Sequence, residues 1–133
     1  MEIAFFSDIH GNIDALRAAV NEAKEKGINK FIALGDYVGY YYKPNQVIEC
    51  LLDINAVMIK GNHEELIFKA LKDKKYLAYL NDKYGHGHEI ALSQLSNEFI
   101  NILKKLPKTR TLKLADNIEI LICHGSPKSI NEY

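Results

Sequence analysis

The sequence predicts an α/β fold built on a parallel sheet, and three observations carry that expectation. Short apolar runs of strand length recur along the chain, amphipathic stretches of helical period separate the first three, and turn-forming residues mark the junctions. The runs are Ile3 to Phe6, Phe31 to Leu34, Ala56 to Ile59 and Ile118 to Cys123, rich in β-branched or aromatic side chains as suits buried strands. Between the first two, Ile13, Leu16, Val20 and Ala23 recur at helical spacing within Asn12 to Lys26. Asn12 can cap the start of that helix, and Gly27 comes just past its end. Pro44 can open a second helix whose apolar face is Val47, Ile48, Leu51 and Leu52. Strand, helix, strand, helix, strand implies parallel strands joined by helical crossovers.

After the third run the period turns helical. Leu66, Ile67, Ala70 and Leu71 form one group, and Ala91, Leu92 and Leu95 a second. Phe99, Ile102, Leu103 and Leu106 come after a Ser96 cap, and Pro107 stops the series. Asp73 to His88, polar, Lys-rich and Gly-containing, reads as the flexible stretch. Arg110 to Leu114 and Ile118 to Cys123 flank Ala115-Asp116-Asn117, a polar turn that predicts an antiparallel hairpin. No repeat, low-complexity segment or linker interrupts the chain, so residues 1–133 are expected to form one domain.

Composition narrows the function classes. With 133 residues and 47% hydrophobic content the chain can bury a core of its own. Seventeen Lys and Arg balance seventeen Asp and Glu, so no long-range attraction draws it to a nucleic-acid polymer or an acidic membrane. Its beginning lacks a basic n-region, reaches Asp8 too soon for a signal peptide, and no apolar run approaches a membrane span. The expectation is a soluble, cytoplasmic protein. Cys50 and Cys123, far apart in apolar surroundings, read as small hydrophobes in a reducing compartment and not as a disulfide or zinc framework.

The residues that close each apolar run carry the chemistry. The first run ends in Ser7-Asp8-Ile9-His10-Gly11-Asn12, the second in Gly35-Asp36, the third in Gly61-Asn62-His63-Glu64 and the fourth in His124-Gly125-Ser126. The carboxyl ends of parallel strands share one edge, and ligands bind in the crevice outside it, so these residues should converge. A lone Asp or Asn at a strand end is usually a turn former, but four strand ends supplying Asp, Asn or His imply a ligand for so many polar groups. Asp8 and His10, at i and i+2, can grip one ion. Asp36 has two oxygens and can bridge to a second, held by Asn62 and His124. Carboxylate, amide and imidazole donors suit Mn, Fe, Co, Ni or Zn better than Ca, without choosing among them. A dinucleotide-binding fold is excluded: Asp8 and His10 stand where a Gly-rich turn would be, and a carboxylate there repels a pyrophosphate.

In order and content, Asp8-Ile9-His10, Gly35-Asp36, Gly61-Asn62-His63-Glu64 and His124 resemble the motif blocks of the calcineurin-like metallophosphoesterases. Asp8 to Asn12, Gly35-Asp36-Tyr37-Val38-Gly39-Tyr40 and His124-Gly125-Ser126-Pro127 are similar to its small prokaryotic phosphodiesterase and diadenosine-tetraphosphatase-like branch. The resemblance implies that Asp8 and His10 bind one metal, Asp36 bridges, Asn62 and His124 bind the other, and His63 is the catalytic histidine. Two divalent ions would offset phosphoryl charge and lower the pKa of a bridging water nucleophile, while an imidazole gives the leaving group its proton. The implied activity is hydrolysis of phosphate monoesters or diesters of small molecules, nucleotides included, with two divalent ions as cofactor.

The sequence also departs from that pattern. The family site closes with a Gly-His-x-His block some tens of residues after the position of His124, and this sequence ends at Tyr133. The expected architecture is therefore an incomplete αββα sandwich, the first sheet with its flanking helices. Gly85-His86-Gly87-His88 has the right letters in the wrong place. It reads first as a loop and helix start, with replacement ligands, or a site completed by a second chain, as the alternative. Glu64 stands where Asp is common, altering a supporting or capping contact. Tyr41-Tyr42-Lys43-Pro44 replaces Gly-Pro-x-Pro and reads as a packed or half-exposed loop, with aromatics that stack on a nucleobase and Lys43 near a phosphate as the alternative. The rival function is a non-catalytic metal-binding or assembly module whose open sheet edge a partner covers, another copy of the chain included.

Overall fold

The computed structural model describes residues 1–114 and 118–132. Three parallel strands, β1 (Ala4–Phe6), β2 (Phe31–Ala33) and β3 (Val57–Met58), lie in the order β1-β2-β3, with Phe6 opposite Ala33 and Ala33 opposite Met58. The crossovers are α1 (Ile13–Glu25) and α2 (Pro44–Asp53). Asn12 caps α1, its side-chain oxygen accepting from the Ala15 N–H, and Pro44 occupies the first turn of α2, where its missing N–H costs nothing. Each strand is shorter than its apolar run because the chain leaves the ladder early and turns into the loops of the site.

The alternation along β2 sorts the core into two faces. Ala33 and Met58 face the helical side, where Leu16 and Val20 of α1 and Val47, Ile48 and Leu51 of α2 are buried. Ile32 and Ile59 face the other way and pack with Ile122, Leu112 and Ile120. Those last three come from an antiparallel hairpin, β4 (Thr109–Lys113) and β5 (Glu119–Cys123), paired from Thr109 opposite Cys123 to Lys113 opposite Glu119. The hairpin is thus a layer laid on the sheet, and among the described residues it shares no ladder with it. The turn expected at Ala115-Asp116-Asn117 lies outside the described residues.

Between β3 and the hairpin, in chain order, come α3 (Asn62–Ala70), α4 (Lys74–Tyr84), α5 (Gly87–Gln94) and α6 (Asn97–Lys105), the last capped by Ser96 as expected. Here one expectation is corrected: Asp73 to His88, read as flexible from its polar composition, is mostly helix α4. Asp73 accepts from the Lys75 and Tyr76 N–H groups at its N-terminus, Leu80 is fully buried, and Lys69 Nζ lies 3.8 Å above the Tyr76 ring. Leu77, Leu80 and Tyr84 share one helical face and are partly or fully buried, a period that the polar composition masks. Among the described residues no helix is long and apolar enough to cross a membrane, and Cys50 and Cys123 are free and partly buried.

Tyr37 ties the strand ends to the loops beyond them. Its ring is fully buried, its hydroxyl lies 2.9 Å from the Ala33 carbonyl and 2.7 Å from that of Ile59, and it accepts from the Gly35 N–H at 3.2 Å. One O–H therefore serves β2, the turn after it and the segment beyond β3. Tyr37→Phe keeps the ring and leaves those groups unpaired in the interior. It should cost about 1–3 kcal/mol, read as a lower urea midpoint at unchanged m-value.

Candidate metal centre

The loops after β1 and β2 are stitched to each other beyond the ladder. The Asp8 N–H donates to Gly35 O at 3.3 Å, His10 N–H to Asp36 O at 2.8 Å and Gly11 N–H to Tyr37 O at 2.7 Å. This irregular pairing puts Asp8, His10 and Asp36 side by side, and all three adopt left-handed backbone at φ 54°, 49° and 58°. Such angles are uncommon for residues with a Cβ and are held only where the surroundings impose them. The third loop joins through Glu64. This fully buried carboxylate accepts from the N–H groups of Asp36 at 2.9 Å, Tyr37 at 2.7 Å and Gly61 at 2.8 Å, so α3 and the β2 loop move as one.

The side chains meet on Asp36, which is 2% exposed. Its Oδ1 accepts from the His63 N–H at 2.8 Å, at the N-terminus of α3. Its Oδ2 faces two imidazoles, 3.7 Å from His10 Nε2 and 3.4 Å from His124 Nε2. Each of those rings turns its other nitrogen to a backbone carbonyl: His10 Nδ1 lies 2.8 Å from Val38 O, and His124 Nδ1 2.8 Å from Leu34 O. Giving Nδ1–H to a carbonyl leaves Nε2 as a lone pair aimed at the site, the arrangement metal-binding histidines use. Asp8 is more exposed, with Oδ1 3.8 Å from His10 Nε2 and Oδ2 bonded to the Ser7 hydroxyl.

The donor set fits a cation on a point of charge. His124 Nε2 lies 2.9 Å from Asn62 Oδ1 as well as facing Asp36 Oδ2. With Nδ1–H committed to Leu34, three electron-rich atoms face one another, and something positive must sit among them. In the metal-free chain a proton does so: the Asp36 bond outweighs burial and pushes His124 up to about 9. Burial alone would raise Asp36, but the bonds from His124 and the His63 N–H, with the charges of both rings, hold it below the usual carboxylate value. Burial, then the Asp36 charge, pushes Glu64 up to about 7 against the pull of its three N–H donors.

Ligand-capable atoms fall into two sets, each within 4.8 Å: Asp8, Asp36 and His124, and His10, Asp36 and His63. Asp36 belongs to both. His63, read from the sequence as the acid and not as a ligand, thus stands near the metal cradle, its ring 4.6 Å from that of His10 by centroid. His86 and His88 part company. His86 is exposed and bonds Glu89, while His88 is fully buried with Nε2 2.9 Å from His63 Nδ1. Burial lowers both His63 and His88 to about 4, so both rings are neutral at pH 7.

Several functional neighbours were not legible as such. The ring of Tyr84 packs against His63 and His88, and Tyr40 against His10 and His63, so aromatic rings wall the catalytic candidate. For His88 a signal existed, since it shares a helical face with Ala91 and Leu95. Tyr41 and Tyr42, read as a packed or half-exposed loop, take the second form, each 57% exposed.

Comparison with known proteins finds similarity to phosphoesterases. The family model described as calcineurin-like phosphoesterase matches residues 1–133. An uncharacterized protein of Methanocaldococcus jannaschii is 37% identical over 133 residues, covering 95% of this chain and 50% of its own length. The crystal structure of a metallophosphoesterase from Sphaerobacter thermophilus superposes with a TM-score of 0.75 at 26% identity, covering 100% of this chain and 50% of that one. Yfce, a phosphoesterase from E. coli, shares the fold at a TM-score of 0.57 and 17% identity, over 96% of this chain and 61% of that one. The chain spans about half the length of the curated relative it matches.

A cation held between Asp36 and His124 would have to displace the proton on His124. A folded pKa of about 9 against an ordinary 6.5 means that the imidazolium stabilises the metal-free fold fully below about 6.5, and that this is lost as pH rises through about 9. Mn binding should therefore strengthen as pH rises towards 9 and release close to one proton per chain at pH 7.5. Calorimetry in two buffers of different ionisation enthalpy reads that proton directly, and His124→Ala should abolish its release.

Proposed function

The chain belongs to the calcineurin-like phosphoesterase family, and from that premise we propose that it takes part in metal-dependent hydrolysis of small phosphate esters, mono- or diesters, nucleotides among them. The observation that carries the reading is the placement of one Asp36 oxygen between two imidazoles whose other nitrogens are tied to backbone carbonyls. In this proposal Asp8 and His10 hold one divalent ion, Asn62 and His124 hold the other, and Asp36 is shared. Residues 1–133 then form the part of one domain that carries these side chains. Mn, Fe, Co, Ni and Zn all suit the donor set. When bound, two such ions offset the charge on a phosphoryl group and make an attacking water acidic.

The chain's own groups supply the rest. Asp36, bonded through Oδ1 to the His63 N–H, orients the catalytic candidate and the shared ligand together. A neutral His63 ring offers an N–H to the leaving oxygen as negative charge develops there. Glu64, accepting from the Asp36 and Tyr37 N–H groups, fixes the backbone that carries the shared carboxylate.

The test begins with metal content. Purified chain loaded with Mn and freed of loose ions by gel filtration should retain about two ions per chain by elemental mass spectrometry, and should hydrolyse bis-p-nitrophenyl phosphate only when loaded. One ion or none, with no turnover, would overturn the reading and leave a metal-binding or assembly module. Asp36→Asn should lower the metal content, because a shared ligand touches both ions. His63→Ala should leave metal content unchanged and cut turnover about 10²- to 10⁴-fold.

A further inference from the structure

We propose that His88 is a positioning residue that fixes the tautomer of His63, keeping it a hydrogen donor and excluding it from metal ligation. This rests on the reading of His63 as the acid. His88 Nε2 and His63 Nδ1 are 2.9 Å apart, with the two ring planes 18° from parallel, so a single hydrogen lies between them. Two arrangements are open. If His63 donates from Nδ1, His88 must carry its own hydrogen on Nδ1, and that atom is buried without a partner among the described residues. If His88 donates from Nε2, the same buried atom is a bare lone pair. A buried N–H without an acceptor is the rarer of the two, so the hydrogen is assigned to His88 Nε2. His63 then accepts at Nδ1 and carries its own hydrogen on Nε2. Neither ring nitrogen has a lone pair left for a metal, although the ring stands within ligand distance of His10 and Asp36.

The backbone is built to allow this contact. Gly39 lies at φ +89°, and a Cβ there would come within 2.6 Å of His63 Nδ1 and 3.2 Å of His88 Nε2, between the bonded atoms. Gly87, beside His88, lets the start of α5 approach the same turn, since a Cβ on it would meet the Tyr40 nitrogen at 2.3 Å. The Tyr84 ring packs on both histidines and keeps the pair from parting.

The experiment is nitrogen NMR of the histidine rings in the metal-free chain at pH 7, with the native protein, His88→Leu and His88→Gln. The native chain should show His63 hydrogenated on Nε2 and a coupling through the hydrogen bond between His88 Nε2 and His63 Nδ1. His88→Leu should lose that preference, and His88→Gln, whose amide N–H can reach His63 Nδ1, should restore it. In the Mn-loaded chain His88→Leu should cut turnover about 10- to 100-fold and His88→Gln should recover most of it. A native His63 hydrogenated on Nδ1, or a tautomer unchanged by His88→Leu, overturns the proposal. The native measurement alone decides if the leucine variant does not fold. Because the tautomers are read without metal or substrate, absent turnover counts against the phosphoesterase reading and not against the pairing.

Discussion

The burial of the Asp36 carboxylate is the constraint on which the rest of the site depends. A carboxylate 2% exposed survives as an ion only if each oxygen has a partner, and here Oδ1 takes a helix N-terminal N–H while Oδ2 faces two imidazoles. Those partners come from separate stretches of chain. The need to satisfy one buried charge thus dictates how the loops after β1, β2, β3 and β5 sit relative to one another. The left-handed backbone at Asp8, His10 and Asp36 is the visible cost of that convergence.

A second buried carboxylate keeps the first in place. Glu64 spends its oxygens on the N–H groups of Asp36, Tyr37 and Gly61, and Tyr37 returns its hydroxyl to Gly35, Ala33 and Ile59. The two buried acids diverge for a physical reason. Asp36 has hydrogen-bonded histidines and stays below the ordinary carboxylate value, whereas Glu64 has neutral backbone donors and a negative neighbour, and is pushed up to about 7.

The histidines divide in the same way. His124, bonded to Asp36, is raised to about 9, while His63 and His88, walled by Tyr40 and Tyr84, are lowered to about 4. One residue type is thereby given a cationic and a neutral role within one small volume, according to whether burial or a bond to the Asp36 side chain prevails. The hairpin matters to this division. It brings His124 across the sheet by packing Ile122 on Ile32 and Ile59, with no strand pairing needed.

The sequence by itself determined the α/β order, the crossover helices with their Asn12, Pro44 and Ser96 signals, the hairpin and the polar residues closing each apolar run. These are local: caps, periods and strand ends are written within a few residues. It left α4 unread, because the Lys-rich, Gly-containing composition hid the short stripe of Leu77, Leu80 and Tyr84. Only the tertiary structure decided that β5 lies on the sheet and not in it, that Glu64 clamps two loops at once, and that His86 faces solvent while His88 meets His63. Those outcomes depend on how elements far apart in sequence satisfy one another's buried polar groups, and a pattern of letters carries no distance between them.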